Sequence, residues 1–137
     1  MNKIVIDTNV IISAFISRRS KPAKIVEFAL SDENTLICYN DIIFAEYKDV
    51  FLRDKFKKYN FDIKELNLLL ENIEEWGKYV IPIKSNIHMA DEKDRIFYDT
   101  AKQSNSILVT GNIKHFPKEE FILSPDDFLQ KMNIKND

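Results

Sequence analysis

A single cysteine, two glycines and four prolines in 137 residues leave this chain with little of what staples or punctuates small folds. With Cys38 alone no intramolecular disulfide can form, and a cysteine-based zinc site is argued against. Cys38 lies in the apolar run 36–39, where a thiol behaves as a small core residue. Few glycines and prolines beside an apolar fraction of 45% suit a compact, helix-rich globule, and the length suits one domain, 1–137. Long hydrophobic runs are missing too. None approaches the roughly 20 residues that cross a bilayer, and Asp7 interrupts the first apolar run too early for a secretory signal. The expectation is a cytoplasmic protein that engages no membrane. Nor does one sign of charge dominate: the net charge of −2 offers no global attraction to nucleic acid. Positive charge is clustered instead, in Arg18, Arg19, Lys21 and Lys24 and again in Arg53, Lys55, Lys57 and Lys58. Such runs are solvated faces unless phosphates claim them.

What the chain does have is an alternation of strand and helix patterns. Ile4-Val5-Ile6 reads as a strand buried on both faces, as in the middle of a parallel sheet. A helix over about 10–16 and a basic loop follow. Pro22 opens a second helix with Ile25, Val26, Phe28, Ala29 and Leu30 on its buried side. A second strand is expected at 35–39, then a helix capped by Asn40 or Asp41 and running to about 52. After a basic and aromatic stretch, 53–61, Asp62 caps a helix whose apolar positions Ile63, Leu66, Leu69, Leu70, Ile73 and Trp76 keep helical spacing until Gly77. A short strand around Tyr79-Val80-Ile81, a helix over 94–104, a strand at 106–109, a fifth at 121–123 and a last helix opened by Ser124-Pro125 complete the pattern. Strands alternating with helices predict an α/β fold, a parallel central sheet of about five strands flanked by helices.

Three acids occupy unexpected places. Asp7 ends the first strand, and ligands of open α/β sheets sit beyond the carboxyl ends of strands; Asp is equally at home as a helix cap. Glu46 is four residues from Ile42 and from Val50 and three from Ile43, inside the apolar stripe of its helix instead of opposite it. A buried, unpaired carboxylate costs several kcal/mol, so it needs a cation or a proton. Asp94 stands three, four and seven residues from Phe97, Tyr98 and Ala101, heading another apolar stripe, where capping is again the competing role. Asp99 has Arg95, Lys102 and Gln103 as helical neighbours and reads as solvated. Like charges gathered at one site call for a metal or a proton. An all-oxygen set of Asp7, Glu46 and Asp94 suits Mg²⁺ or Mn²⁺, ions whose commonest work is phosphoryl chemistry through an activated water.

Four motifs in order, Ile-Val-Ile-Asp7-Thr8-Asn9, Phe44-Ala45-Glu46-Tyr47, Asp91-x-x-Asp94-Arg95-x-Phe97 and Ile-Leu-Val-Thr110-Gly111-Asn112, resemble the PIN-domain family of small metal-dependent ribonucleases. That family includes the toxin halves of many bacterial toxin–antitoxin pairs. The resemblance covers Asn2 to about Phe116. It implies that Asp7, Glu46 and Asp94 are catalytic, metal-binding acids and that Asn9 and Thr110 organise hydrogen bonds around Asp7. It also implies an RNA substrate and a small antitoxin protein as partner. Many relatives carry a fourth acid where this chain has Asn112, or three residues on, where it has His115. Asn112 keeps an oxygen ligand but removes a charge, which puts a second metal in question. Arg18, Arg19 and Lys21, close to the Asp7 strand end, are candidates for the RNA backbone.

Two other functions compete. Loss of activity through Asn112 would leave a PIN-like module that only binds RNA or protein. Phosphatases of the haloacid dehalogenase type also place an aspartate nucleophile after the first strand, but need an acid two residues on, where this chain has Asn9. Apolar residues beyond the inner face of the helix from Leu66 to Trp76 raise the expectation of a homodimer.

Overall fold

In the computed structural model, which describes residues 1–135, five strands form one all-parallel sheet: β1 (Asn2–Ile6), β2 (Thr35–Tyr39), β3 (Lys78–Tyr79), β4 (Ile107–Val109) and β5 (Ile122–Leu123). Their order across the sheet is β3-β2-β1-β4-β5. Between them run the helices α1 (Thr8–Ile16), α2 (Lys21–Ser31), α3 (Asp41–Phe51), α4 (Ile63–Trp76), α5 (Arg95–Ser104) and α6 (Pro125–Lys131). This is the α/β architecture expected from the alternating pattern. Among the described residues no helix is long and apolar enough to cross a membrane.

The central strand explains the order. Successive strand residues face opposite sides, yet Ile4, Val5 and Ile6 are all inaccessible, so β1 is covered on both faces. Helix α5 lies across β1, β2 and β4, while α2 packs on β2, α1 and α6. Chain growth runs from β1 to β2 and β3 on one side, then returns past β1 to β4 and β5 on the other. The crevice between the ends of β1 and β4 is therefore the topological switch point.

Local chemistry sets the helix ends. Ser20, Asn40, Asp62 and Ser124 each accept a backbone N–H of the first turn that follows, with Pro22 and Pro125 inside the first turns of α2 and α6. A chain with two glycines must find its left-handed positions elsewhere, and asparagine fills them: Asn60, Asn105 and Asn133 have φ of 51°, 54° and 56°. Gly77 serves close approach, since a Cβ there would lie 2.4 Å from the Ile37 carbonyl oxygen.

Several elements depart from the sequence expectation. β3 stops at Tyr79, and Ile81 and Ile83 are exposed at 75% and 76%. The stretch Asp54–Tyr59 winds into a 3-10 helix. On α3 the buried stripe is Ile43, Phe44, Tyr47, Val50 and Phe51, while Ile42 is 61% exposed. The face is rotated because Tyr47 anchors it: its hydroxyl donates to the Ile6 carbonyl at 2.5 Å and its ring lies 6.3 Å from that of Phe97. Asp99 is buried, not solvated. The segment 84–88 folds over that face of α5, where Ser85 N–H donates to Asp99 Oδ2 and the Arg95 guanidinium donates to the Ser85 and Ile87 carbonyls. Among the described residues Asp99 Oδ1 has no hydrogen-bond partner. On α4, Leu66, Leu69, Leu70 and Ile73 are buried, and Leu68 and Trp76 are exposed at 59% and 69%. Cys38 is a buried free thiol.

Candidate active site

Asp7 follows the last residue of β1 and is the N-cap of α1, so capping and site placement are not alternatives here. One carboxylate oxygen accepts Thr8 N–H at 2.7 Å, which is the cap. The other accepts the Thr110 hydroxyl at 2.7 Å and the Asn9 amide at 3.2 Å. Asn9 turns its carbonyl to Gly111 N–H at 2.9 Å, and the Thr110 hydroxyl accepts Asn112 N–H at 3.0 Å. Thr110 follows β4 as Asp7 follows β1, so these bonds lace the two strand ends together across the switch point. Gly111 must come close to Asn9 for its part: a Cβ there would stand 3.2 Å from Asn9 Oδ1.

The other two acids arrive from helices. Glu46 is half-buried on α3 beside the Tyr47 that ties this helix to the end of β1. Asp94 stands at the N-cap position of α5 but makes no capping bond. Its carboxylate is left for the cleft, while the neighbouring Asp91 takes the capping role for the turn Glu92–Asp94. Asp7, Glu46, Asp94 and Asn112 line one cleft of about 280 Å³, together with Asn9, Arg53, Lys55 and Phe56. His115 Nδ1 lies 3.8 Å from Asp94 Oδ2.

The electrostatics of the cleft are those of crowded acids. Burial raises the proton affinity of Asp7 above the usual carboxylate range; its three hydrogen bonds oppose this and the charge of Glu46 adds to it. Asp94 is pushed up to about 6, first by burial and then by the charges of Asp7, Asp91 and Glu46, with His115 pulling the other way. Each of the three acids thus lies within the field of the others. Among the described residues no three carboxylate, histidine or cysteine groups already converge as a closed ligand cluster. The donors are all oxygen, so Asp7, Glu46 and Asp94, with Asn112 at the rim, are chemically matched to Mg²⁺ or Mn²⁺ and unsuited to a soft metal.

The basic candidates are placed differently. Arg18 pairs with Glu65 at 3.2 Å and lines a separate hollow between α1, α2 and α4. Lys21 pairs with Asp126 of α6, and Arg19 is exposed. None of the three lines the acid cleft; Arg53 and Lys55 do. Both belong to the basic cluster Arg53, Lys55, Lys57 and Lys58, which the chain brings back beside the cleft just after α3 ends at Phe51.

A family model described as the PIN domain matches residues 3–114, a span that includes Asp7, Glu46, Asp94, Thr110 and Asn112. The chain is also 30% identical over 113 residues to an uncharacterized protein of Methanocaldococcus jannaschii, covering 80% of this chain and 70% of that relative. A family match over most of the chain, on a parallel sheet with acids gathered at its switch point, decides the kinship: this chain belongs to the PIN domain family, whose fold is of the nuclease type.

Proposed function

We propose that the protein is a metal-dependent endoribonuclease that hydrolyses RNA phosphodiesters at the cleft of Asp7, Glu46 and Asp94. The observation that carries this is the meeting of Asp7, Glu46 and Asp94, from three separate elements, in one cleft, where burial first and neighbouring carboxylates second raise the proton affinity of Asp7 and Asp94. A divalent ion, when bound, relieves that strain and supplies a water acidic enough to attack phosphorus. Asp7, held rigidly by Thr8, Asn9 and Thr110, orients the site; Glu46 and Asp94 complete its negative wall. Burial and the charges of Asp7, Asp91 and Glu46 raise the proton affinity of Asp94 in the metal-free cleft, so metal and proton compete for this carboxylate. Arg53 and Lys55 offer positive charge to the phosphates next to the cleft. Asn9 spends its amide on Asp7 and Gly111, which removes support for a nucleophilic aspartate with a second acid at that position.

The four motifs extend this proposal to the toxin half of a toxin–antitoxin pair. The outer side of α4, with Leu68 and Trp76 exposed, offers apolar surface for a small antitoxin or a second copy. Asn112 favours one other reading, a PIN-like module that binds RNA without cutting it.

Single-turnover incubation with a mixed RNA separates the two readings. Cleavage is expected with Mn²⁺ or Mg²⁺, and none with EDTA, with Zn²⁺ alone, or in Asp7→Asn. Binding without cleavage under every metal condition would leave the non-cutting module. Equal cleavage in excess EDTA would remove the metal from the mechanism.

A further inference from the structure

Beside the acid cleft lies a second hollow, and Arg53 and Phe56 line both. The chain between α3 and α4 forms this shared boundary, with four basic residues against one acid over 53–61 in a protein of net charge −2. Three aromatic rings there form a column. Tyr59 stacks on Phe61 with centroids 5.5 Å apart and planes 13° apart, and Phe61 stacks on the buried Phe51 at 4.7 Å and 25°. The outermost ring, Tyr59, is 41% exposed. Lys58 holds its ammonium 5.2 Å from the centre of that ring, and Lys55 sits 5.1 Å from the centre of Phe56. Among the described residues neither lysine is paired with a carboxylate, whereas Arg53 is held by Asp49 and Lys57 by Asp54.

We propose that the segment 53–61 is a single-stranded RNA platform, on which the strand leaving the acid cleft lays its phosphates against Lys55 and Lys58 and stacks a base on Tyr59. The proposal rests on the ribonuclease reading for the strand's direction, not for its chemistry. Stacking needs an unpaired base with an open face, so the ligand is single-stranded. A ring column rooted in the core at Phe51 is ordered before binding, so little ordering entropy is lost when a base arrives. The unpaired lysines supply the phosphate charge complement that an apolar protein partner would not call for.

The test is fluorescence anisotropy in EDTA, with a labelled 12-nucleotide single strand and the same sequence as duplex, at several salt concentrations. Tyr59→Ala should weaken single-strand binding by roughly 5- to 150-fold, the range for losing one base stack, and Tyr59→Phe should retain it. Lys55→Gln with Lys58→Gln should lower the salt slope of log K by about 1.4, two single-strand phosphates. Should Tyr59→Ala melt early, Lys58→Glu at its exposed position carries the same test. Equal single-strand affinity in Tyr59→Ala and the parent would overturn the platform. So would equal losses on single strand and duplex, or Tyr59-dependent self-association in sedimentation with unchanged RNA affinity. The two proposals fail separately: Tyr59-dependent binding without Mn²⁺-dependent cleavage sinks the nuclease and keeps the platform. Cleavage that Tyr59→Ala leaves untouched, with unchanged affinity, does the reverse.

Discussion

Replacing Asp94 by Asn should make the metal-free protein more stable at neutral pH and leave it unchanged in acid. The folded protein raises Asp94 from 3.8 to about 6, so the fold holds this proton more tightly than the unfolded chain does. The stability from that proton is fully present below about pH 4 and is lost as pH rises through about 6. The displacement corresponds to at most ~3 kcal/mol. With 19% of the side chain open to water, screening reduces the realised cost to roughly 1–2 kcal/mol. Asn is isosteric and uncharged, and Asp94 makes no capping bond that an amide would lose. Asp7→Asn is a poorer probe, because its new amide would face the donors of Asn9 and Thr110. The assay is thermal unfolding by circular dichroism at pH 4, 6 and 7.5 without divalent ions. At a few degrees per kcal/mol for this size, Asp94→Asn should melt about 3–8 °C above the parent at pH 7.5 and level with it at pH 4. Adding millimolar Mn²⁺ should raise the parent's melting temperature and raise that of Asp94→Asn much less. A variant whose advantage is the same at all three pH values, or absent at 7.5, would refute the account of Asp94 as an acid strained by burial and by its neighbouring carboxylates.

Thr110→Val keeps the shape of a fully buried side chain but strips the donor to Asp7 and the acceptor of Asn112 N–H. It should cost about 1.5–3 kcal/mol, as for a bond to a charged group, read as a lower urea midpoint at pH 7.5, and the same protein should take up Mn²⁺ more weakly. Gly77→Ala places a methyl 2.4 and 2.5 Å from the carbonyl oxygens of Ile37 and Ile73. Backbone cannot yield cheaply there, so a loss of at least 1–3 kcal/mol is expected, and a melt level with the parent would count against the close packing of α4 on β2.

Much of this protein is legible in its order of residues because the decisive signals are local. Ile4-Val5-Ile6 needed only its own hydrophobicity to read as a strand covered on both faces, and Asn40, Asp62 and Ser124 were recognisable as caps because a cap bonds within three residues of itself. Asp7 stood out at the end of a buried strand, and Glu46 and Asp94 as acids on apolar helix stripes, for the same reason. What the chain order could not contain is which distant segment lies over a given face. Asp99 has polar neighbours along its own helix, yet segment 84–88 closes over it and buries it. Ile42 has the spacing of a core residue, yet the bond from Tyr47 to Ile6 turns α3 so that Ile42 faces water. Arg18 and Lys21 sit close to Asp7 in sequence, but a helix of two or three turns carries them away from the cleft to partners on α4 and α6. Arg53 and Lys55, more than 45 positions from Asp7, take the place beside it. Composition, period and capping act over a few residues, so the sequence by itself determined the elements and the acids worth watching. The switch between β1 and β4, the rotation of α3 and the company each charge keeps are set by packing between elements far apart in the chain, and only the tertiary structure decided them.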